Sequence, residues 1–197
     1  MANKHAQRSE ATRARLIEAG RELFTERGYA AVAMEDVVAR AGVTRGALYH
    51  HFGGKRELFR AVFERVEEEL MRTVAARVAE ARAVNAVAAL RAGIDAALEA
   101  ASDERVARLS LVDAPAVLGW REWRAAGERH ALGLVRATLA AAMDSGALAR
   151  APVDPLAQVL LAAVEEAALY VSRAERRDDA RAQARQVLTR VVDGLRA

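Results

Sequence analysis

Residues 41–52 read Ala41-Gly42-Val43-Thr44-Arg45-Gly46-Ala47-Leu48-Tyr49-His50-His51-Phe52, the grammar of two helices joined by a tight corner. A short helix over about 34–41 stops at Gly42, because a residue without Cβ enters a left-handed turn at little cost. Val43 is an apolar plug for the corner, and Thr44 carries the hydroxyl of an N-cap for the next helix. In that second helix Ala47, Leu48 and Phe52 turn inward. Arg45, Gly46, Tyr49, His50 and His51 are left on the outer face. A merely solvated helix collects Glu, Lys and Gln, whereas this set suits a nucleic-acid duplex. Arginine forks onto guanine O6 and N7, glycine lets the backbone approach, and Tyr and His donate to phosphates.

Upstream, Ser9 is the expected N-cap of a first helix running to about Arg27. Leu16, Ile17, Gly20, Leu23 and Phe24 recur in it at helical spacing and make a scaffold stripe. Gly28 ends that helix, and Tyr29 is expected to pack back beneath it. Residues 1–8 read as a loose basic arm: a frayed terminus, or a segment whose Lys4 and Arg8 touch DNA in the minor groove. Downstream, Gly53-Gly54 breaks the chain, and a long helix over about 55–82 carries Leu58, Phe59, Val62, Val66, Leu70, Val74 and Val78. As the only continuous link between the two halves, this helix is expected to carry any signal between them.

Four pieces stand in one order and spacing: Ala-Gly-Arg-Glu-Leu-Phe (19–24), Arg-Gly-Tyr (27–29), Glu-Asp-Val-Val-Ala-Arg-Ala-Gly-Val (35–43) and Thr-Arg-Gly-Ala-Leu-Tyr-His-His-Phe (44–52). Lys55 and Glu57-Leu58-Phe59 continue them. In these pieces the segment from about Ser9 to Phe59 resembles the DNA-binding domain of the TetR (tetracycline-repressor) family of bacterial regulators. The remainder matches only in being helical and of the right length. One position departs: Ala33 stands where the family usually has a capping Ser or Thr that often touches a phosphate. Losing such a cap costs about 0.5–2 kcal/mol, which Glu35 and Asp36 near the positive helix end can partly offset. The resemblance implies that Lys55 meets a phosphate together with its helix N-terminus; the plainer alternative is a solvated lysine.

Beyond residue 82 the pattern is helical hairpins, over about 85–101, 103–112, 117–143, 155–172 and 177–195. Asp113-Ala114-Pro115 is expected to interrupt, Asp144-Ser145-Gly146 to turn, and Asp154-Pro155 to start a helix as N-cap and first residue. The fold class is therefore all-α, with about nine helices. The resemblance makes residues 1–54 a three-helix DNA-binding domain, joined through the long helix to a helical effector-binding and dimerisation domain over 55–197. Leu156, Leu160, Ala163, Val164, Ala167 and Val171 form one apolar stripe; Ala180, Ala184, Val187, Leu188, Val191 and Leu195 form another. In a monomer these are all core. The resemblance implies instead a homodimer through about residues 154–195, two helices from each chain. Its paired heads, about 34–36 Å apart, would read a palindromic double-stranded operator.

Charge sharpens this reading. The chain has 197 residues and a net charge of +3, and the whole excess lies in residues 1–55, where nine basic residues face six acids. A small basic excess there supports phosphate binding. There are no cysteines, which excludes disulfides and thiolate metal sites and fits a reducing cytoplasm. No uninterrupted apolar run of 18 residues is present, so no membrane span is expected. His50 and His51 point about 100° apart on a helix and have no Cys or clustered Asp beside them, so neither a metal site nor a cofactor is expected, and no catalytic constellation is found. The resemblance implies a small-molecule effector instead. Met71, Asp113, Trp120, Trp123, His130, Glu165, Glu166 and Tyr170 are its candidate contacts, a carboxylate among them facing a cationic ligand; each also reads as plain core or surface. The expected function is a sequence-specific transcriptional regulator, a ligand-responsive repressor. The alternatives are an activator or ligand-independent repressor on the same fold, or a helical ligand-binding or interaction module that does not bind DNA.

Overall fold

The computed structural model describes residues 2–82 and 84–197, with side chains from residue 6 onward. Its helices run in the order α1 (Ala2–Arg27), α2 (Met34–Ala41), α3 (Arg45–His51), α4 (Lys55–Arg82), α5 (Ala86–Ser102) and α6 (Glu104–Ala107). A π-helical segment (Arg108–Asp113) follows, then α7 (Ala114–Leu118), α8 (Trp120–Asp144), α9 (Val153–Arg173) and α10 (Arg177–Asp193). α6, the π segment and α7 follow one another through right-handed backbone, so the separate rods number nine among the described residues. Among the described residues the only extended pairing is an isolated bridge between Leu148 and Arg196.

Three boundaries differ from expectation, each for a local reason. α1 begins at Ala2 rather than at Ser9, because neither glycine nor proline interrupts residues 2–9; Ser9 and Arg8 are exposed positions within it. The side chain of Lys4 lies outside the described residues. Pro115 does not interrupt its helix. The widened π turn before it passes the Ala114 N–H back to Leu109 O, so the proline, which has no N–H to give, falls where the ladder is already shifted. The break comes at Gly119 instead. α9 starts at Val153, ahead of the expected cap, and Asp154 pairs with Arg136 Nε at 2.7 Å.

Among the described residues two large cores organise the molecule, with a smaller cluster of Val74, Val78, Ala89 and Ala96 between α4 and α5. The first joins Leu16, Leu23 and Phe24 of α1, Val37 of α2, Leu48 of α3 and Leu58, Phe59 and Phe63 of α4, and it continues into Leu109, Ala114, Leu118 and Trp123. Tyr29 packs beneath α1 as expected, with its ring centre 5.8 Å from Phe24 and 5.0 Å from Phe59. Each such side chain contributes about 1.5–3 kcal/mol of apolar burial. The second core is built by α5, α8, α9 and α10 around Leu98, Leu139, Leu148, Val171 and Val192. α9 is long and apolar enough to span a membrane by length and composition alone, but Leu160, Leu161, Leu169 and Val171 on it are buried inside the protein.

Candidate nucleic-acid interface and internal cavity

The corner between α2 and α3 is fixed by short-range chemistry. Gly42 takes φ 60° and ψ 42°, and its N–H closes onto Ala39 O. Val43 N–H follows onto Val38 O at 3.2 Å, completing a glycine-stopped helix end. From α1 the Arg15 guanidinium reaches across and donates to Ala41 O and, at 2.9 Å, to Gly42 O. Thr44 Oγ1 accepts from Ala47 N–H at 3.2 Å as the N-cap of α3. Leu48 and Phe52 are buried beneath, with Arg13 set 5.4 Å over the Phe52 ring. α2 lacks a side-chain cap at Ala33. The Asp36 carboxylate accepts from Ala33 N–H at 3.4 Å in its place and also meets Arg27.

This scaffold leaves a polar outer face. Arg45 lies 5.6 Å over the Tyr49 ring and 3.5 Å from Glu35, with most of its side chain in solvent. Such an exposed pair is weak because solvent screens it, so the guanidinium is free to exchange it for a stronger acceptor. Tyr49 is 45% exposed. His50 and His51 meet edge to face, 5.3 Å between ring centres. Partial burial, with His50 and Arg13 as neighbours, lowers the His51 pKa below its ordinary value. Lys55 is neither a loose solvated ammonium nor wholly free: it sits 4.4 Å over the Tyr29 ring and donates to Ala30 O at 3.3 Å. Burial pushes its pKa down, opposed by the charge of Asp113.

Inside the C-terminal body lies a cavity of about 120 Å³ between α4, α5, α8 and α9. Its walls are mostly apolar, with Phe63, Met71 and Trp123 among them, and four polar side chains reach it: Glu67, Ser110, His130 and Glu165. His130 Nε2 lies 2.7 Å from Glu64 Oε2. Glu165 is bound by Arg124 at 2.8 Å and fills space that a side chain at residue 127 would need. Burial nonetheless raises the Glu165 pKa. Glu67 has no ion-pair partner among the described residues, and burial pushes its carboxyl up to about 7. The nearby Ser110 hydroxyl favours the ionised form but has no well-aligned hydrogen bond of its own. A second cavity of about 100 Å³, lined by side chains that are apolar apart from Thr138, shares Leu70, Met71, Ala97, Ala131, Leu161 and Val164 with the first.

The same π segment that lends Ser110 to the cavity also holds the N-terminal unit. Tyr29 N–H donates to Asp113 Oδ2 at 2.8 Å, and the Arg108 guanidinium lies where a Cβ on Gly28 would come within 2.5 Å. From α4, Arg56 donates to Val117 O and Leu118 O at 3.1 and 3.0 Å, and Arg60 binds Glu122. The long helix is therefore not the sole link between the halves.

Comparison with known proteins agrees with this architecture. Residues 16–62 match the family model for bacterial regulatory proteins of the tetR family, and residues 87–195 match the tetracyclin repressor-like C-terminal domain. A TetR-family transcriptional regulator from Pectobacterium atrosepticum superposes with TM-score 0.86 at 33% identity, over 97% of each chain. This chain belongs to the TetR family. The TetC protein of transposon Tn10 from Escherichia coli is 26% identical over 162 residues, 81% of each protein. The similarity to the regulator SrpR of Pseudomonas putida is 45% over 62 residues, 32% of this chain and 29% of SrpR. This TetR-family chain is thus a DNA-binding transcriptional regulator with an N-terminal helix-turn-helix domain.

Of the effector contacts expected from sequence, the TetR-type body brings Met71, Trp123, His130 and Glu165 to one cavity. The others stand elsewhere. Asp113 binds the Tyr29 backbone, Trp120 is 55% exposed beyond Trp123, and Glu166 faces outward. Tyr170 is exposed and donates to Gln183 at 3.0 Å. Sequence reasoning missed Glu67 and Ser110. Glu67 follows Phe63 by four residues and precedes Leu70 and Met71 by three and four, a spacing that sets it on the apolar stripe of α4.

Proposed function

We propose that this chain is a ligand-responsive repressor that binds a palindromic operator as a homodimer in the cytoplasm, and that it is not an enzyme. Residues 1–54 serve as the reading head and 55–197 as the effector and dimer domain. Arg45 reads base edges with Thr44 and Gly46, while Tyr49, His50, His51 and Lys55 fix register on phosphates. The single observation that carries this reading is the rigid corner, which presents an exposed Arg45, Tyr49 and His50 on a helix backed by Leu48 and Phe52. The dimer rests on what one chain leaves uncovered. Leu160, Val171, Ala180, Ala184 and Leu188 are spent on the chain's own core, whereas Val159, Tyr170, Val187 and Val191 are 45–66% exposed on α9 and α10. An effector in the cavity would move the π segment and, through Asp113 and Arg108, the loop below α1. To weaken operator binding it must prefer the altered state, since equal affinity shifts nothing. Selection of genomic fragments by the purified protein, followed by mapping of the sites against promoters, tests the reading. Enriched palindromes overlapping promoters support repression, sites upstream of them point to activation, and no enrichment overturns it.

A further inference from the structure

We infer that the effector cavity takes an amphiphilic amine, its ammonium group seated between Glu67, Ser110 and Glu165 and its hydrocarbon tail lying in the adjoining apolar cavity. The inference rests on the proposed reading of this body as an effector domain and names the ligand chemistry of that same site.

Three observations carry it. Glu67 is a half-buried carboxyl lining the cavity, with no Lys or Arg paired to it among the described residues. Ser110, 4% exposed, lines the same space, and its hydroxyl has no well-aligned partner beyond the nearby Glu67. The Ser110 hydroxyl can donate to Glu67 and still accept, so the pair keeps free lone pairs and a negative charge that no cation of the chain neutralises among the described residues, and a buried polar group left unpaired is costly. Glu165 is the third acceptor; its Oε2 is held by Arg124, and its Oε1 lies beside Gly127. An anionic headgroup would meet two carboxylates, and His130 cannot neutralise them freely because Glu64 already engages it at 2.7 Å. The tail follows from the neighbouring space, where Leu70, Val74, Val78, Ile94, Leu134 and Val135 line a cavity whose only polar side chain, Thr138, is satisfied by Leu134 O. Six residues line both cavities, so one chain can pass from head to tail.

The groups facing Glu67 are His130 from α8, Glu64 from α4, Glu165 from α9 and Ser110 from the π segment; Arg124 and Glu128 stand behind Glu165. With the Glu67 carboxyl near about 7, an arriving ammonium displaces its proton. Amine binding therefore releases protons and weakens as pH falls.

The test is titration of the full-length protein with n-octylamine, 1-octanol and octanoate, followed by tryptophan fluorescence, because Trp123 lines the cavity. Octylamine is expected to saturate at least about tenfold more tightly than octanol, with no saturable response to octanoate. Each methylene removed from the amine should weaken it about fourfold. Its affinity should fall about tenfold from pH 8 to pH 6, a dependence kept in His130→Gln and lost in Glu67→Gln. Glu67→Gln should also lose the preference for amine over alcohol, and its helical circular dichroism shows whether it has folded; Glu165→Gln gives a second readout of the same preference. Equal binding of octanol or octanoate, indifference to chain length, or an unchanged amine preference in both variants overturns the inference. Fragment selection on the same preparation separates the two readings: a selected duplex with no amine binding sinks this inference alone, and amine binding with no selected duplex sinks the regulator reading alone.

Discussion

Replacing Glu67 with glutamine keeps the shape of the side chain and removes its ionisation, so it isolates the penalty of burying that carboxyl. Burial pushes the group from 4.5 to about 7. The unfolded chain therefore ionises first as pH rises, while the folded chain holds its proton. Below pH 4.5 both forms are protonated and the group costs nothing; between the two values the folded state loses stability with every step of pH. Above about 7 the loss levels off at about 3 kcal/mol. Between about pH 5 and pH 8 the wild type should thus lose about 2–3 kcal/mol that Glu67→Gln keeps. The absolute stability of the variant is less telling, because the new amide can itself lack a partner and cost about 1–3 kcal/mol at every pH. Urea unfolding at fixed protein concentration, followed by helical circular dichroism at the two pH values, measures the difference in slope. Parallel pH dependence in the two proteins would refute a desolvated Glu67, and with it the unpartnered acceptor in the cavity.

Four other outcomes follow from the geometry. Arg45→Ala should cost about 1–3 kcal/mol of operator binding and relax base preference at one position in each half-site, read by competition among single-base variants. Lys55→Ala should weaken all sequences alike and reduce the slope of log affinity against log salt by about 0.9 for each site; unequal losses across operators would count against a phosphate role. Gly42→Ala forces a Cβ into a left-handed turn at about 1–2 kcal/mol and sets it 2.9 Å from the Arg15 guanidinium, so thermal unfolding should show that loss with operator affinity falling alongside. Val187→Asp with Val191→Asp, both at exposed positions, should leave helicity intact and shift sedimentation from dimer to monomer; an unchanged sedimentation profile would place the interface elsewhere.

What was legible from sequence was local. The corner could be read because a left-handed glycine, a threonine cap and an apolar plug each act within a turn of the chain, and α2, α3 and α4 begin and end where those signals put them. The body was legible as helices but not as a site. Glu67 belongs to the run Glu67-Glu68-Glu69, which reads as a solvated face until the helical spacing from Phe63 to Met71 is followed. Trp120 and Trp123 look equivalent three residues apart, yet α8 turns one toward Ser110 O, where its Nε1–H donates at 2.8 Å, and the other into solvent. Asp113 stands among the effector contacts expected from sequence, while its partner, the backbone of Tyr29, lies 84 residues away. Contacts of that separation are set by tertiary packing, which no local pattern reports. The apolar stripes of α9 and α10 likewise divide between core and surface only once α5 and α8 cover one side of them.

The most direct test of the proposed regulator is a hydroxyl-radical footprint of the purified protein on its selected duplex, read together with the mass of the complex. Two protected patches related by a twofold axis, with centres about 10–10.5 base pairs apart or a multiple of that, and an even number of chains on the duplex are the predicted result. A single protected patch bound by one chain, or uniform protection that follows salt and ignores sequence, would contradict it.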